Sequence, residues 1–185
     1  MWQRTVGVPE LMQESGVSLK DEIKKKKPFE HPEEEAYLNL LRTTTVLYAQ
    51  FEALLKQSGL SEPQYNVLRI LRGVGGCGLP SSEVGARMIT RVPDVTRLVD
   101  RLEAAGLVER CRIAEDRRVV QVKITAKGLA ALADLDEPLV ALNRKLLAHM
   151  TRKELDDLIR LLEKARHPPE DLGAPRPAAA AGSAN

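Results

Sequence analysis

Arg91, Asp94, Thr96, Arg97 and Arg101 follow one another along a short helical stretch, and Arg117 and Arg118 stand side by side in the polar run AEDRR. Arginine can donate to both acceptors of a guanine at once, a contact giving roughly 1–3 kcal/mol of base discrimination. Arg91, Asp94, Thr96 and Arg97 lie where the first turns of a helix would reach base edges. Arg101, one turn further along, is placed for a phosphate or for an internal ion pair. Two guanidinium groups on a projecting tip suit a narrow, negatively charged minor groove. Asp116 beside them has a structural task, fixing the turn through its carboxylate and a neighbouring arginine.

The surrounding sequence supplies elements to hold these residues. Ser81–Met88 carries Val84 and Met88 at helical spacing, and a turn follows at Ile89–Pro93. A second helix is predicted from about Asp94 to Ala105, closed by Gly106, with Pro93 where a first-turn proline is tolerated. Val95, Leu98, Val99, Leu102 and Ala105 form its buried stripe. Next comes Leu107–Ile113 as one strand, then the polar turn Ala114–Arg118. Val120, Val122 and Ile124 then alternate with Gln121 and Lys123 as a second strand. Helix, turn, helix and hairpin make a winged helix-turn-helix, an arrangement suited to double-stranded DNA.

The run DVTRLVDRLEAAGLVER…EDRRVVQVKITAKG resembles the multiple-antibiotic-resistance regulator (MarR) family of bacterial transcription factors. The wing pattern Asp116-x-Arg118 and Ile124-Thr125-x-x-Gly128 carries the likeness, together with Leu98, Val99, Asp100, Arg101 and Leu102 before it. The likeness extends from about His31 to Arg166. It implies an obligate, triangular homodimer that represses or activates nearby genes from a pseudo-palindromic operator. Many members release DNA when a small aromatic acid binds, and some when a cysteine is oxidised. Ligand cavities in such proteins lie between the dimer helices and the winged unit. Tyr48, Tyr65, Arg42 and Arg72 are the helix residues placed to line one here, arginine pairing a carboxylate and tyrosine stacking or hydrogen bonding.

The expected fold class is mostly α with a small β-hairpin wing (α+β), the winged unit flanked by long N- and C-terminal dimerisation helices. Residues 1–30 are an N-terminal extension, 31–60 a dimerisation helix and 61–128 the winged unit. Residues 129–167 are C-terminal dimerisation helices, and 168–185 a disordered tail. Glu33–Ser58 reads as a long helix ended by Gly59; Ser61-x-x-Gln64 and Thr151-x-x-Glu154 have capping-box form. Leucines 129, 132, 135, 139, 142 and 146 continue a second long pattern from Ala126 to Met150, which Pro138 should kink or split near Glu137. These ends carry more apolar surface than one small winged domain can bury, so a twofold homodimer is expected. It would present two recognition helices about 34 Å apart.

A chain of 185 residues that is 43% hydrophobic and 3% aromatic can build an aliphatic, helix-rich core. The net charge of +2 says little about partners, but Ser82–Gly128 holds ten Arg and Lys against seven Asp and Glu. That modest excess predicts DNA affinity that relies on two protomers and weakens steeply with salt. Lys24–Lys27 is either a basic arm for flanking phosphates or a solvated run offset by Glu33–Glu35. Neither the three scattered histidines nor Gly73–Gly78, which lacks the following Lys-Ser/Thr pair, supports an enzyme, a cofactor or a metal site. The chain shows no secretory signal and no membrane partner is expected, so a cytoplasmic location follows. Besides a ligand-responsive regulator, two alternatives stand: a winged-helix protein-interaction module, or a redox-responsive regulator acting through Cys77.

Overall fold

The computed structural model describes residues 17–112 and 120–167. A short turn of helix, α1 (Leu19–Glu22), precedes the long α2 (Pro32–Gln57). Pro32 opens α2 where its missing N–H costs nothing, and Glu33, Glu34 and Glu35 complement the positive end of the helix dipole. Gly59, at φ 71°, turns the chain into α3 (Glu62–Val74). Both halves of the predicted capping box are present there. The Ser61 hydroxyl accepts from the Gln64 N–H, and the Gln64 side chain accepts from the Ser61 N–H at 2.9 Å.

The winged unit follows in the predicted order: α4 (Ser81–Ala86), α5 (Val95–Ala104), β2 (Val108–Arg112) and β3 (Val120–Ile124). The wing strands pair antiparallel, Val108 opposite Ile124 and Arg112 opposite Val120. One element goes beyond the expected hairpin. Leu79–Pro80 forms a two-residue β1 on the far side of β3, giving a three-stranded sheet in the order β1-β3-β2. Gly78 permits this close approach, because a Cβ there would lie 2.7 Å from the Val122 carbonyl oxygen. Leu68, Leu71, Val84, Val99, Leu102, Val108 and Val122 close the core, and Leu132 and Leu135 of α6 (Ala126–Leu146) seal it from behind.

Two expectations need correcting. The second helix of the reading unit begins at Val95; Asp94 is its N-cap, and Pro93 lies outside it rather than in its first turn. Pro138 does not split α6, which runs unbroken from Ala126 to Leu146. The proline faces solvent, where water can serve the carbonyl it leaves unpaired, while Leu135 and Leu139 on either side are buried and hold the axis in place. The last helix, α7 (Arg152–Arg166), starts from the Thr151–Glu154 capping box and buries none of its own residues. Among the described residues no helix is long and apolar enough to cross a membrane.

Candidate nucleic-acid interface

Helix α5 is held by its ends and its inner face. The Asp94 carboxylate accepts the Arg97 N–H at 2.9 Å, which satisfies one of the free donors of the first turn. Leu98, Val99 and Leu102 pin the inner face to the core. Arg91, Thr96, Arg97 and Arg101 are left exposed. Among the described residues none of these three arginines has a carboxylate within ion-pair distance. Arg97 and Arg101 instead border a cleft of about 340 Å³, shared with Ser61, Pro63, Val92, Pro93, Asp94 and Leu98. Asp94 therefore has a task inside the protein, as the cap that shapes the first turn for its neighbours.

The remaining acidic residues of α5 are occupied by a residue that sequence reasoning missed. Arg110 of β2 reaches back across the turn at Gly106; its guanidinium donates to Asp100 at 2.6 Å and to Glu103. Its backbone N–H donates to the other Glu103 oxygen at 3.1 Å. The two carboxylates raise the Arg110 pKa, with the Asp100 hydrogen bond the largest cause. A signal was available: Arg110 shares its strand face with the buried Val108, two residues earlier. The result is a wing base tied to α5, with the helix's own carboxylates paired to one arginine.

A second junction fixes the wing to α6. Thr125 caps α6 by accepting the Gly128 N–H at 3.1 Å, and its hydroxyl donates to the Gly106 carbonyl at 2.8 Å. Lys127 donates to the Ala105 carbonyl at 2.8 Å, so the end of α5 and the start of α6 share one knot. Arg117, Arg118 and Asp116, expected at the wing tip, lie outside the described residues. Cys77 ends a single 3₁₀ turn, Gly75–Cys77. Cys111 is a free thiol on β2, half-buried beside the Gln121 carbonyl.

The four residues expected to line a ligand cavity are not brought together. Arg42 pairs with Glu22 at 2.9 Å in a groove on the outer side of α2. Arg72 makes a two-pronged contact with Asp136 of α6, at 2.7 and 2.8 Å. Tyr65 packs edge-on against Phe51, and its hydroxyl accepts from Arg69 at 2.9 Å. Only Tyr48 of the four borders the cleft of about 320 Å³ between α2 and α6, with Thr44, Leu47, Phe51, Asn143, Leu146 and Leu147. Burial, and then the nearby Glu62 and Glu52 carboxylates, raise the Tyr48 phenol pKa. Burial also raises that of Glu62.

A MarR family model matches residues 58–119, from the C-cap of α2 past the end of β2. The HTH-type transcriptional repressor IacR of Pseudomonas putida is 33% identical over 121 residues, which are 65% of this chain and 71% of that protein. The chain belongs to the MarR family. Its fold agrees with the crystal structure of a MarR transcription factor from Planctomyces limnophilus, 43% identical, with a TM-score of 0.57 over 74% of this chain and 98% of that one. It agrees also with Bordetella bronchiseptica BpsR, whose DNA binding is described as regulated by 6-hydroxynicotinic acid. That protein is 24% identical, with a TM-score of 0.65 over 77% of this chain and all (100%) of BpsR. As a MarR-family member the protein is a DNA-binding transcriptional regulator and not an enzyme.

Proposed function

We propose that this MarR-family regulator is a homodimeric, sequence-specific repressor that acts in the cytoplasm on a pseudo-palindromic operator. Helix α5 enters the major groove; Arg91, Thr96 and Arg97 read bases, Arg101 meets a phosphate, and Arg117 and Arg118 enter the minor groove. The observation that carries this reading is the charge arrangement on α5. Its acidic residues are bound up as a cap and in the Arg110 network, while its arginines stand exposed without carboxylate partners among the described residues. The repressor sense follows the likeness to IacR.

Dimerisation is supported by what the helical ends leave uncovered. Tyr37, Leu40, Leu41 and Val46 of α2, Val140 of α6, and Ile159 and Leu161 of α7 are all exposed in the single chain. Leaving so many large apolar side chains in water is costly, and a twofold mate would cover them. Light scattering at micromolar concentration should give a dimer mass; a monomer would remove this part of the proposal.

The cleft beside Tyr48 supports release by a small molecule. Its volume falls at the lower end of the range for ligand sites, and its lining is mainly apolar. With Arg42 and Arg72 committed elsewhere, Tyr48, Thr44 and Asn143 supply its polar side-chain groups. That favours a small aromatic ligand held by hydrogen bonds and packing over one held by a carboxylate–arginine pair.

Selection of genomic fragments by the purified protein at near-physiological salt, with Arg97→Ala in parallel, tests the whole reading. An enriched inverted repeat whose affinity falls about 30-fold or more in the variant is expected, the equivalent of one lost guanine contact of about 1 kcal/mol or more in each of two half-sites. If the folded wild type enriches nothing, the DNA-reading role of α5 is wrong.

A further inference from the structure

The turn between α4 and α5 presents an isoleucine to solvent at the DNA face. Ile89 is 87% exposed, more than any other large apolar side chain among the described residues. The turn around it is anchored at both ends. Met88 is buried in the core and Val92 packs against it, so Ile89, Thr90 and Arg91 form a short exposed tip between two fixed points. The uncovered apolar residues of α2, α6 and α7 lie on the helical ends; Ile89 lies on the winged unit, beside Arg91 and ahead of Arg97. A lone surface isoleucine needs no explanation by itself. One on a short tip anchored at both ends, among the arginines proposed to read bases, has a specific complement in DNA. Of the groups that base pairs show in the major groove, the thymine C5 methyl is the apolar one.

We infer that Ile89 is a specificity-determining residue that packs against the C5 methyl of a thymine in each operator half-site. The inference rests on the proposed docking of α5 in the major groove. The isoleucine side chain is β-branched and stiff at χ1, so little side-chain freedom is lost on contact. Arginine contacts to guanine would read the G·C pairs, and Ile89 adds an apolar reader for a flanking A·T pair.

The test replaces single dT nucleotides by dU in the duplex enriched by selection, which removes only the methyl group. Wild type, Ile89→Val and Ile89→Ala are titrated on each duplex, after melting curves establish that all three are folded. At one thymine per half-site, dU should weaken wild type about fourfold, the equivalent of one buried methyl-sized group. Ile89→Ala, which lacks the contact at both half-sites, should bind the parent duplex about 16-fold less well or worse, the square of that single-site loss, and lose nothing more on dU, with Ile89→Val in between. Equal dU effects in wild type and Ile89→Ala, or no sensitive thymine at all, would overturn the inference while leaving the reading by Arg97 intact. Failure of Arg97→Ala to weaken binding would instead remove the docking of α5, and Ile89 with it.

Discussion

Arg110 is the residue that ties the base of the wing to α5. Three hydrogen bonds join it to Asp100 and Glu103, so the base of the wing and the middle of α5 move as one body. Arg110→Met keeps the apolar stem, removes the charge and leaves two carboxylates facing each other one turn apart. The expected cost is about 1–3 kcal/mol of stability, since hydrogen bonds to charged groups are among the stronger ones. DNA affinity should fall more steeply than stability, because the angle between wing and helix is no longer fixed. Arg110→Lys should rescue only part of either, as an ammonium cannot reproduce the fork that spans both acids. Thermal melting and anisotropy titrations on one operator separate the two effects. Asp94 marks a limit of reading roles from sequence. Residue type and position favoured it as a base reader, and the structure adds a capping role the sequence reading did not assign, its carboxylate accepting the Arg97 N–H at 2.9 Å.

At the scale of elements, the junction of wing and α6 shows why the Thr125-x-x-Gly128 pattern has the form it has. Thr125 must cap the helix and hold Gly106, and Gly128 must bring the helix start against the chain at Leu107. A Cβ on Gly128 would collide with the Leu107 carbonyl oxygen and lie 2.8 Å from the Ile124 side chain. Gly128→Ala should therefore destabilise by about 1–3 kcal/mol, read as a melting point lower by about 2–4 °C per kcal/mol. Elements of this kind were legible in the sequence because their signals are local. Both capping boxes, the Gly59 stop and the Leu98, Val99 and Leu102 stripe of α5 each rest on a few neighbouring residues, whereas Ala105, expected on that stripe, and Val120, expected on the buried face of β3, are exposed. What escaped the sequence depends on distant partners. Strand β1 exists because Leu79 meets Val122, and Pro138 is accommodated because α6 is held by Leu135 and Leu139 against the rest of the fold.

At the scale of the whole molecule, the reading unit must be held at a fixed angle to the helices that would bring two copies together. The Arg72–Asp136 pair is the polar part of that connection, joining α3 to α6 with both prongs of the guanidinium. The neighbourhood of Tyr48 and the α2–α6 cleft lies on the same side of the connection, where Phe51 touches both the cleft and Tyr65 of α3. The hydrogen bonds from Arg72 hold the Asp136 carboxyl below its ordinary pKa. A carboxylate whose folded value lies below its unfolded one stabilises the fold in full above the unfolded value. It loses that contribution as pH falls through the folded value. Both side chains are about a third or more exposed, at 30% and 45%, so solvent screening limits the pair to about 1 kcal/mol at neutral pH. Asp136→Asn should accordingly lower the melting point at pH 7 by about 2–4 °C. The gap to wild type should close on acidification below the ordinary aspartate range, where Asp136 is itself protonated. A gap that stays constant across that range would show that Asp136 acts through shape rather than charge. DNA titrations of the same variant at pH 7 then ask whether the pair sets the angle of the reading heads. Weakened operator binding with an intact dimer would place the coupling between α6 and the reading unit, through α3, in this contact.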